Sequence, residues 1–300
     1  MPWFNRHKEA SETGEIQPRR QWAHALYVIS RDPLALFSVI VIALFVIVAI
    51  VGPWIAPYPE QGFGKTNVAS RMLPPSREHL LGTDRLGRDM LSRIIIGTRS
   101  ALVTSLVVVA LAVVIGSLLG AVAGYVGRWL DDLIMRVTDL FLAFPSLLLA
   151  MAIVAVIGPG LTNAMLAIAI SWWPWYTRLV RGVALSLRER YFVEAARSIG
   201  VRNLGIVFRH ILPNCISPIL VQATIDIGTV ILAAGGLAFI GLGAQPPTPD
   251  WGLMVSEGRA FLLNQWWYST FPGLAIFITV LAFNLLGDTL RDIFDPRQYR

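Results

Sequence analysis

The sequence predicts an all-α fold, a polytopic bundle of about six membrane-crossing helices. Three observations carry this. Of the 300 residues, 55% are apolar and only 15% are charged, whereas a soluble domain carries nearer a quarter charged residues. Several runs of 23 or more residues hold no charged side chain, and about 20 apolar residues suffice for a helix to cross a hydrocarbon core about 30 Å thick. Barrel strands would be about ten residues long with strict alternation. Backbone groups in lipid must be satisfied within their own segment, so runs of this length fold as helices.

Taken in chain order, residues 1–33 are polar and charged. The apolar run that follows is too long for a signal-peptide core, so it is expected to stay as a helix. Trp22, Ala25, Leu26 and Ile29 recur at helical spacing between Arg19, Arg20 and Arg31, which suits an interfacial helix before the first span. Leu34–Ala56 and Ser100–Gly127 are uncharged and give the first two spans. Leu140–Thr177 is 38 uncharged residues interrupted by Gly158-Pro159-Gly160, so it predicts two helices and a tight turn. Ile211–Pro249 is broken only by Asp226, and Phe261–Gly287 is uncharged. The expected spans are 34–56, 100–123, 133–157, 161–181, 215–242 and 270–290.

This divides the chain into a cytoplasmic segment 1–33, a first span with its outer loop over 34–98, a five-helix core over 99–290 and a tail 291–300. Within the core lies a loop over 182–213. Segments 1–33, 124–136, 178–213 and 291–300 hold 17 Lys and Arg, against 8 in the segments between them. The positive-inside rule places the first group, with both termini, in the cytoplasm. The 57–99 stretch runs against the rule with seven.

Gly116, Gly120 and Gly124 form a small-residue stripe on the second span, a device for close helix approach. Pro145, Pro174 and Pro272 fall in or beside spans and favour kinks. Asp226 lies near the middle of the fifth span, where an ionisable group must face a cavity or a partner. It is either a pathway-lining acid or a packing acid bonded to Thr224, Thr229 or another subunit. Asn284, in the last span, is a second pathway candidate, with glue between helices as its other reading. The single cysteine, Cys215, permits no disulfide within the chain and no cysteine metal site, and it reads as a packing residue.

The 178–213 stretch carries seven arginines against Glu189 and Glu194. Tyr191–Ile199 favours a helix, Gly200 suits the position just past its end, and Asn203 can cap a second helix running to Pro213. Such an element either seats in a groove on another protein or merely fixes topology. Glu194-Ala195-Ala196, Gly200 and Leu212-Pro213 resemble the EAA motif of ABC importer permeases. Arg209-His210-Ile211-Leu212-Pro213-Asn214 is similar to the dipeptide, oligopeptide and nickel branch. The same branch is suggested by Leu81-Gly82-Thr83-Asp84 with Gly87-Arg88-Asp89 and Ser92-Arg93, by Phe239 to Gly252 with its prolines, and by Asn284 to Asp288. The likeness covers roughly residues 20–297 and points to the C-type subunit. At Ala234 the sequence departs from many relatives, which carry glutamate there.

The resemblance implies a type I importer permease architecture in a bacterial or archaeal plasma membrane. It implies a second homologous permease, two ATPase subunits or domains and an extracytoplasmic solute-binding protein. Glu194, Ala195, Ala196, Gly200, Leu212 and Pro213 would then couple to the ATPases. Loop 57–97 and Trp251, Trp266 and Trp267 would face the binding protein, although Trp266 and Trp267 also suit an aromatic belt at the membrane surface. No catalytic or metal residue and no cofactor is expected in this chain; ATP and Mg²⁺ belong to the partner subunits. Gly64-Lys65-Thr66 lacks the first glycine of a phosphate loop, since Pro59 stands there. A secondary transporter should show inverted repeats or intramembrane ion sites. An intramembrane hydrolase needs paired acids or a Ser/His pair within spans. The arginines flank helices without forming one face, which argues against nucleic acid. The identity of the solute, peptide or otherwise, is not written in these motifs.

Overall fold

The computed structural model of the chain describes residues 30–294. The interfacial helix expected over residues 20–31 and the two termini, expected in the cytoplasm, fall largely outside them. Among the described residues there is no strand, only an isolated bridge between Thr83 and Asp89.

Helix α1 is Pro33–Ile55, capped by Asp32, whose carboxylate accepts the Leu34 N–H at 2.9 Å. Proline at the first helical position needs no N–H there. Leu36, Ile40, Leu44, Ile47 and Ile50 are exposed at three- and four-residue spacing, which is the stripe expected of a helix lying against lipid. Helix α2 is Met90–Val126, 37 residues and therefore about 55 Å long. It begins well before the expected span 100–123, because Asp89 caps it by accepting from the Ser92 N–H at 2.8 Å. The boundary placed at 98/99 thus falls inside a continuous helix.

The expected third span, 133–157, is broken. Helix α3 (Arg128–Leu142) and helix α4 (Ser146–Ile157) meet at a bend of 85°. Pro145 supplies the break, since it has no N–H to continue the helix and restrains the residue before it. Helix α5 (Leu161–Arg188) follows the turn predicted at 158–160, where Gly158 and Gly160 have φ of 95° and 150°. Four long helical stretches are each apolar enough to cross a membrane, namely Pro33–Ile55, Met90–Val126, Asn203–Phe239 and Trp267–Phe294, and the bent α3–α4 pair makes a fifth. Helix α5 has ample length, but Thr162, Asn163, Ser171, Thr177 and Arg178 dilute its apolar character. Its face is instead spent inside the protein: Ala167, Ile168, Tyr176, Val180 and Ala184 are fully buried.

Helix α6 is Tyr191–Ser198. A helical stretch over Asn203–Cys215, widened to π over Val207–Ile211 and tightened to 3-10 over Leu212–Cys215, then leads into helix α7 (Ile216–Phe239). Helices α8 (Trp251–Gly258) and α9 (Trp267–Phe294) complete the chain.

Helix α2 runs through all three buried clusters. Its middle packs with α4, α5 and α7 around Val108, Ala112, Val154 and Ile168. One end joins α5 and the 193–215 segment around Ala121, Val180, Val193 and Ile211. The other joins α1, α8 and α9 around Met90, Phe45, Trp251 and Tyr268. The glycine stripe explains the α2–α5 contact. A Cβ at Gly120 would lie 2.5 Å from the Thr177 carbonyl, and one at Gly124 would lie 2.7 Å from that of Arg181. Arg181 and Arg178, counted in the basic loop, belong to α5 and bind α3. Arg181 forks onto Asp131 at 2.5 and 2.7 Å, and Arg178 meets Asp139 at 2.7 Å. The loop between helices therefore starts after Arg188.

Candidate functional site

Helix α6 is short and two-sided. Val193 and Ala196 are buried against α2 and α5, while Glu194 and Ala195 are exposed. The predicted chain reversal is present: Ile199 ends the helix, and Gly200 follows with φ of 83°, a backbone that a Cβ disfavours. Asn203 is not the cap. Arg202 stands at that position without a side-chain bond, and the Asn203 carboxamide oxygen accepts from the Tyr125 hydroxyl at 3.3 Å. Tyr125, at the end of α2, also lies under the Arg197 guanidinium, 5.7 Å from its ring centre. Pro213 is exposed, Leu212 is half-buried, and Ile206, Val207, Ile211 and Cys215 are fully buried. Cys215 is the packing residue expected.

The motif residues thus divide. Glu194, Ala195, Gly200 and Pro213 are available to a partner, whereas Ala196 and Leu212 turn toward the protein's own core. Residues outside the motif add to the available face: Tyr191 is 90% exposed and Ile199 82%. Large apolar side chains held out on a short charged helix mark an interaction surface. The sequence carried that signal in the alternation of Val193 and Ala196 with Tyr191 and Ile199 around one helix.

At the opposite end of the molecule, the Leu81–Arg93 motif closes a buried charge cluster. The Arg88 Nε donates to Asp84 at 2.6 Å, and an Arg88 terminal nitrogen donates to Glu257 of α8 at 3.3 Å. The Arg93 guanidinium lies 3.8 Å from Asp84 and 3.9 Å from Glu257. The Tyr268 hydroxyl of α9 donates to Glu257 at 3.1 Å. Arg88, Arg93 and Asp84 are almost wholly buried, so each charge depends on the others. Asp250, which caps α8 by accepting the Leu253 N–H at 3.0 Å, has its carboxyl raised above the ordinary range by burial, with backbone N–H groups and Arg93 pulling the other way. His79 and Asp89 form a further buried pair at 2.9 Å.

Trp251 and Trp267 do not face outward. Their indole N–H groups donate to the Ile94 carbonyl at 3.0 Å and the Thr83 carbonyl at 3.4 Å. Their rings are buried among α1, α8 and α9. A loop this polar can sit against the bundle only if its carbonyls find donors. Trp267 supplies one to Thr83, while Trp251 adds a second donor to the Ile94 carbonyl of α2, which also accepts from the Thr98 hydroxyl at 3.0 Å. Trp266 is half exposed.

Asp226 is 5% exposed. Gln222 donates to its carboxylate at 3.0 Å, and the Tyr176 hydroxyl of α5 lies beside it. Neither threonine serves it, since Thr224 and Thr229 donate to the Leu220 and Ile225 carbonyls one turn back. Asn284 donates to the Val280 carbonyl at 2.8 Å and faces Gly228 of α7. Ala234 lies elsewhere on α7, beside Asp250 and Trp251.

A family model described as "Binding-protein-dependent transport system inner membrane component" matches residues 114–300. A second, "N-terminal TM domain of oligopeptide transport permease C", matches residues 20–75. The chain belongs to the permease family of binding-protein-dependent ABC importers. The permease is 44% identical to a "Probable D,D-dipeptide transport system permease protein" of Escherichia coli K12, covering 96% of this chain and 97% of that one. It is 46% identical to a dipeptide transport system permease protein of Alkalihalophilus pseudofirmus, covering 92% and 90%. A glutathione transport system permease protein of Escherichia coli O6:K15:H31 is also 46% identical, over 94% and 92%. Among solved structures, the MetNI methionine ABC transporter in an inward-facing conformation superposes with a TM-score of 0.57 at 20% identity, over 69% of this permease and 98% of that chain. That likeness shows the type I importer permease fold. The family is the bacterial inner-membrane component, and ATP hydrolysis resides in a separate subunit.

Proposed function

We propose that this permease carries dipeptides or closely related small solutes inward, and that helix α6 with the 199–213 stretch is the element through which separate ATPases drive it. Its relatives include proteins named for D,D-dipeptide, dipeptide and glutathione transport, which share a short backbone with amide bonds and charged ends. The observation that carries the coupling assignment is the two-sidedness of α6. Val193 and Ala196 clamp it to the α2–α5 pair, while Tyr191, Glu194, Ala195 and Ile199 are left exposed. A push on such an element is transmitted to the two most closely packed helices of the bundle.

In this reading the permease works beside a second, homologous permease, with two ATPase subunits or domains on the cytoplasmic side and a solute-binding protein on the other. Both termini are cytoplasmic. ATP and Mg²⁺ act on the ATPases, and coupling requires nucleotide to favour one bundle arrangement over the other. Asp226 and Asn284 serve the packing between α5, α7 and α9 in the arrangement described. Access to the solute path would require Tyr176 to part from Asp226.

The test is uptake by the complex of both permeases and ATPases in vesicles supplied with its solute-binding protein, with labelled L,L-dipeptide, D,D-dipeptide and glutathione offered in turn. ATP-dependent accumulation of one of them is expected. Solute movement that persists without ATPase subunits would refute the coupling assignment.

A further inference from the structure

We propose that the end of the permease built from residues 57–89 and 241–266 receives an acidic surface of the soluble solute-binding protein, with Arg71, Arg77 and Arg85 as the contact cations. The proposal rests on the importer reading and adds the chemistry of one partner's surface.

Burial sorts the charges at this end. Asp84, Asp89, Asp250 and the side chain of Glu257 are inside, with Arg88 and Arg93. The exposed charges are Lys65, Arg71, Arg77, Arg85, Arg99 and Arg259 against only Glu60 and Glu78. Lys65 pairs with Glu60, and its hydrogen bond holds that carboxyl below the ordinary range, so these two cancel. Arg259 lies over the Phe239 ring. Among the described residues, Arg71 and Arg77 enter no ion pair, and Arg85 reaches Glu257 at 3.4 Å while 48% exposed. The acids that would balance these cations are spent inside, on Arg88, Arg93, His79 and the cap of α8.

The cations are placed together and held firmly. Segment 67–73 runs alongside 83–86: the Asn67 and Met72 N–H groups donate to the Leu86 and Asp84 carbonyls, and the Thr83 N–H donates to the Leu73 carbonyl. Arg71 and Arg85 therefore flank one seam. Arg77 lies in the adjoining turn, closed by the Ser76 N–H donating to the His79 carbonyl at 2.8 Å. Val68 and Leu80, each about 60% exposed, stand among them. Arginine mixed with exposed apolar groups is an interface composition. A rigid cluster of one sign steers an oppositely charged partner.

The test uses the full complex in vesicles with the solute-binding protein that supports its uptake, and measures stimulated ATP hydrolysis against the concentration of that protein. With the native permease, the half-saturating concentration should rise as KCl goes from about 25 to about 300 mM, because exposed charges are screened. The Arg71→Glu/Arg77→Glu double variant should raise it about tenfold at low salt and flatten the salt dependence. Arg71→Lys/Arg77→Lys should restore both, which separates charge from folding. A half-saturating concentration unmoved by charge reversal overturns the proposal while leaving the importer reading intact. A defect confined to phosphatidylglycerol vesicles and absent from phosphatidylcholine vesicles also overturns it, by assigning these arginines to lipid headgroups. Failure of every solute-binding protein to stimulate the native complex removes the importer reading itself.

Discussion

Arg88 and Glu257 lie 169 residues apart in the chain and meet at 3.3 Å. The contact ties the loop after α1 to α8, and Tyr268 brings α9 to the same carboxylate. One acid therefore holds three parts of the chain together at one end of the bundle.

Removing that acid leaves Arg88 and Arg93 buried with Asp84 as the one carboxylate still paired with both. Glu257→Ala should cost about 3–5 kcal/mol, the range for breaking a buried charge pair from one side. Glu257→Gln keeps an acceptor and should cost less. Thermal unfolding of the purified permease complex checks both. Equal melting temperatures for native protein and Glu257→Ala would show that the cluster contributes nothing.

The α2–α5 contact is made backbone to backbone. Gly120→Leu forces a side chain into space where a Cβ alone would be 2.5 Å from the Thr177 carbonyl. The expected result is loss of folded protein from the membrane, read by detergent-solubilised size-exclusion profiles. Gly236, where a Cβ meets nothing within 4 Å, should tolerate alanine.

Asp226 accepts from Gln222 and lies beside the Tyr176 hydroxyl. Asparagine preserves one acceptor oxygen, so Asp226→Asn should retain most uptake and Asp226→Ala should lower it together with thermal stability. A variant that loses uptake at unchanged stability would instead mark a contact with the solute.

Asp250 has its carboxyl raised by burial. Folding therefore favours its protonated form, and stability from this group is present below the ordinary carboxylate range and declines as pH rises through the raised value. Asp250→Asn can still accept the Leu253 N–H, so it should weaken that decline in a melting series across pH. An identical pH profile for the variant would remove Asp250 as the cause.

Glu194→Lys and Gly200→Pro act on the exposed side and the chain reversal of the α6 segment. Both should abolish uptake while membrane insertion, followed by fractionation, stays intact. Normal uptake by both would end the docking assignment.

Much of this was legible from run length alone. The limits of α1 and α7 follow closely from uncharged stretches, a local property, whereas α9 runs beyond its uncharged stretch through Asp288, Arg291 and Asp292. The turn at Gly158–Gly160 and the reversal at Gly200 followed from glycine's freedom at positive φ. What could not be read was pairing at a distance. The motif around Arg88 and Arg93 is visible as a dense run of charges, but its partner Glu257 is an isolated acid in an unremarkable segment. Trp251 and Trp267 look like surface aromatics until their indoles are seen to donate to the Ile94 and Thr83 carbonyls, far off in the chain. A kink at Pro145 was expected from its missing N–H, but its size, 85°, was not, because hydropathy is continuous across the break. Asn203 has the right chemistry for a cap, yet Tyr125 competes for the same oxygen.

The central claim is that the exposed face of α6 lies in the cytoplasm against an ATPase. A single cysteine at Ala195, in a Cys215→Ser background, can be labelled with a membrane-impermeant maleimide in vesicles of known orientation. The account predicts labelling only in inside-out vesicles, and protection once the ATPase subunits are bound. Labelling in right-side-out vesicles, or reactivity indifferent to the ATPases, would contradict it.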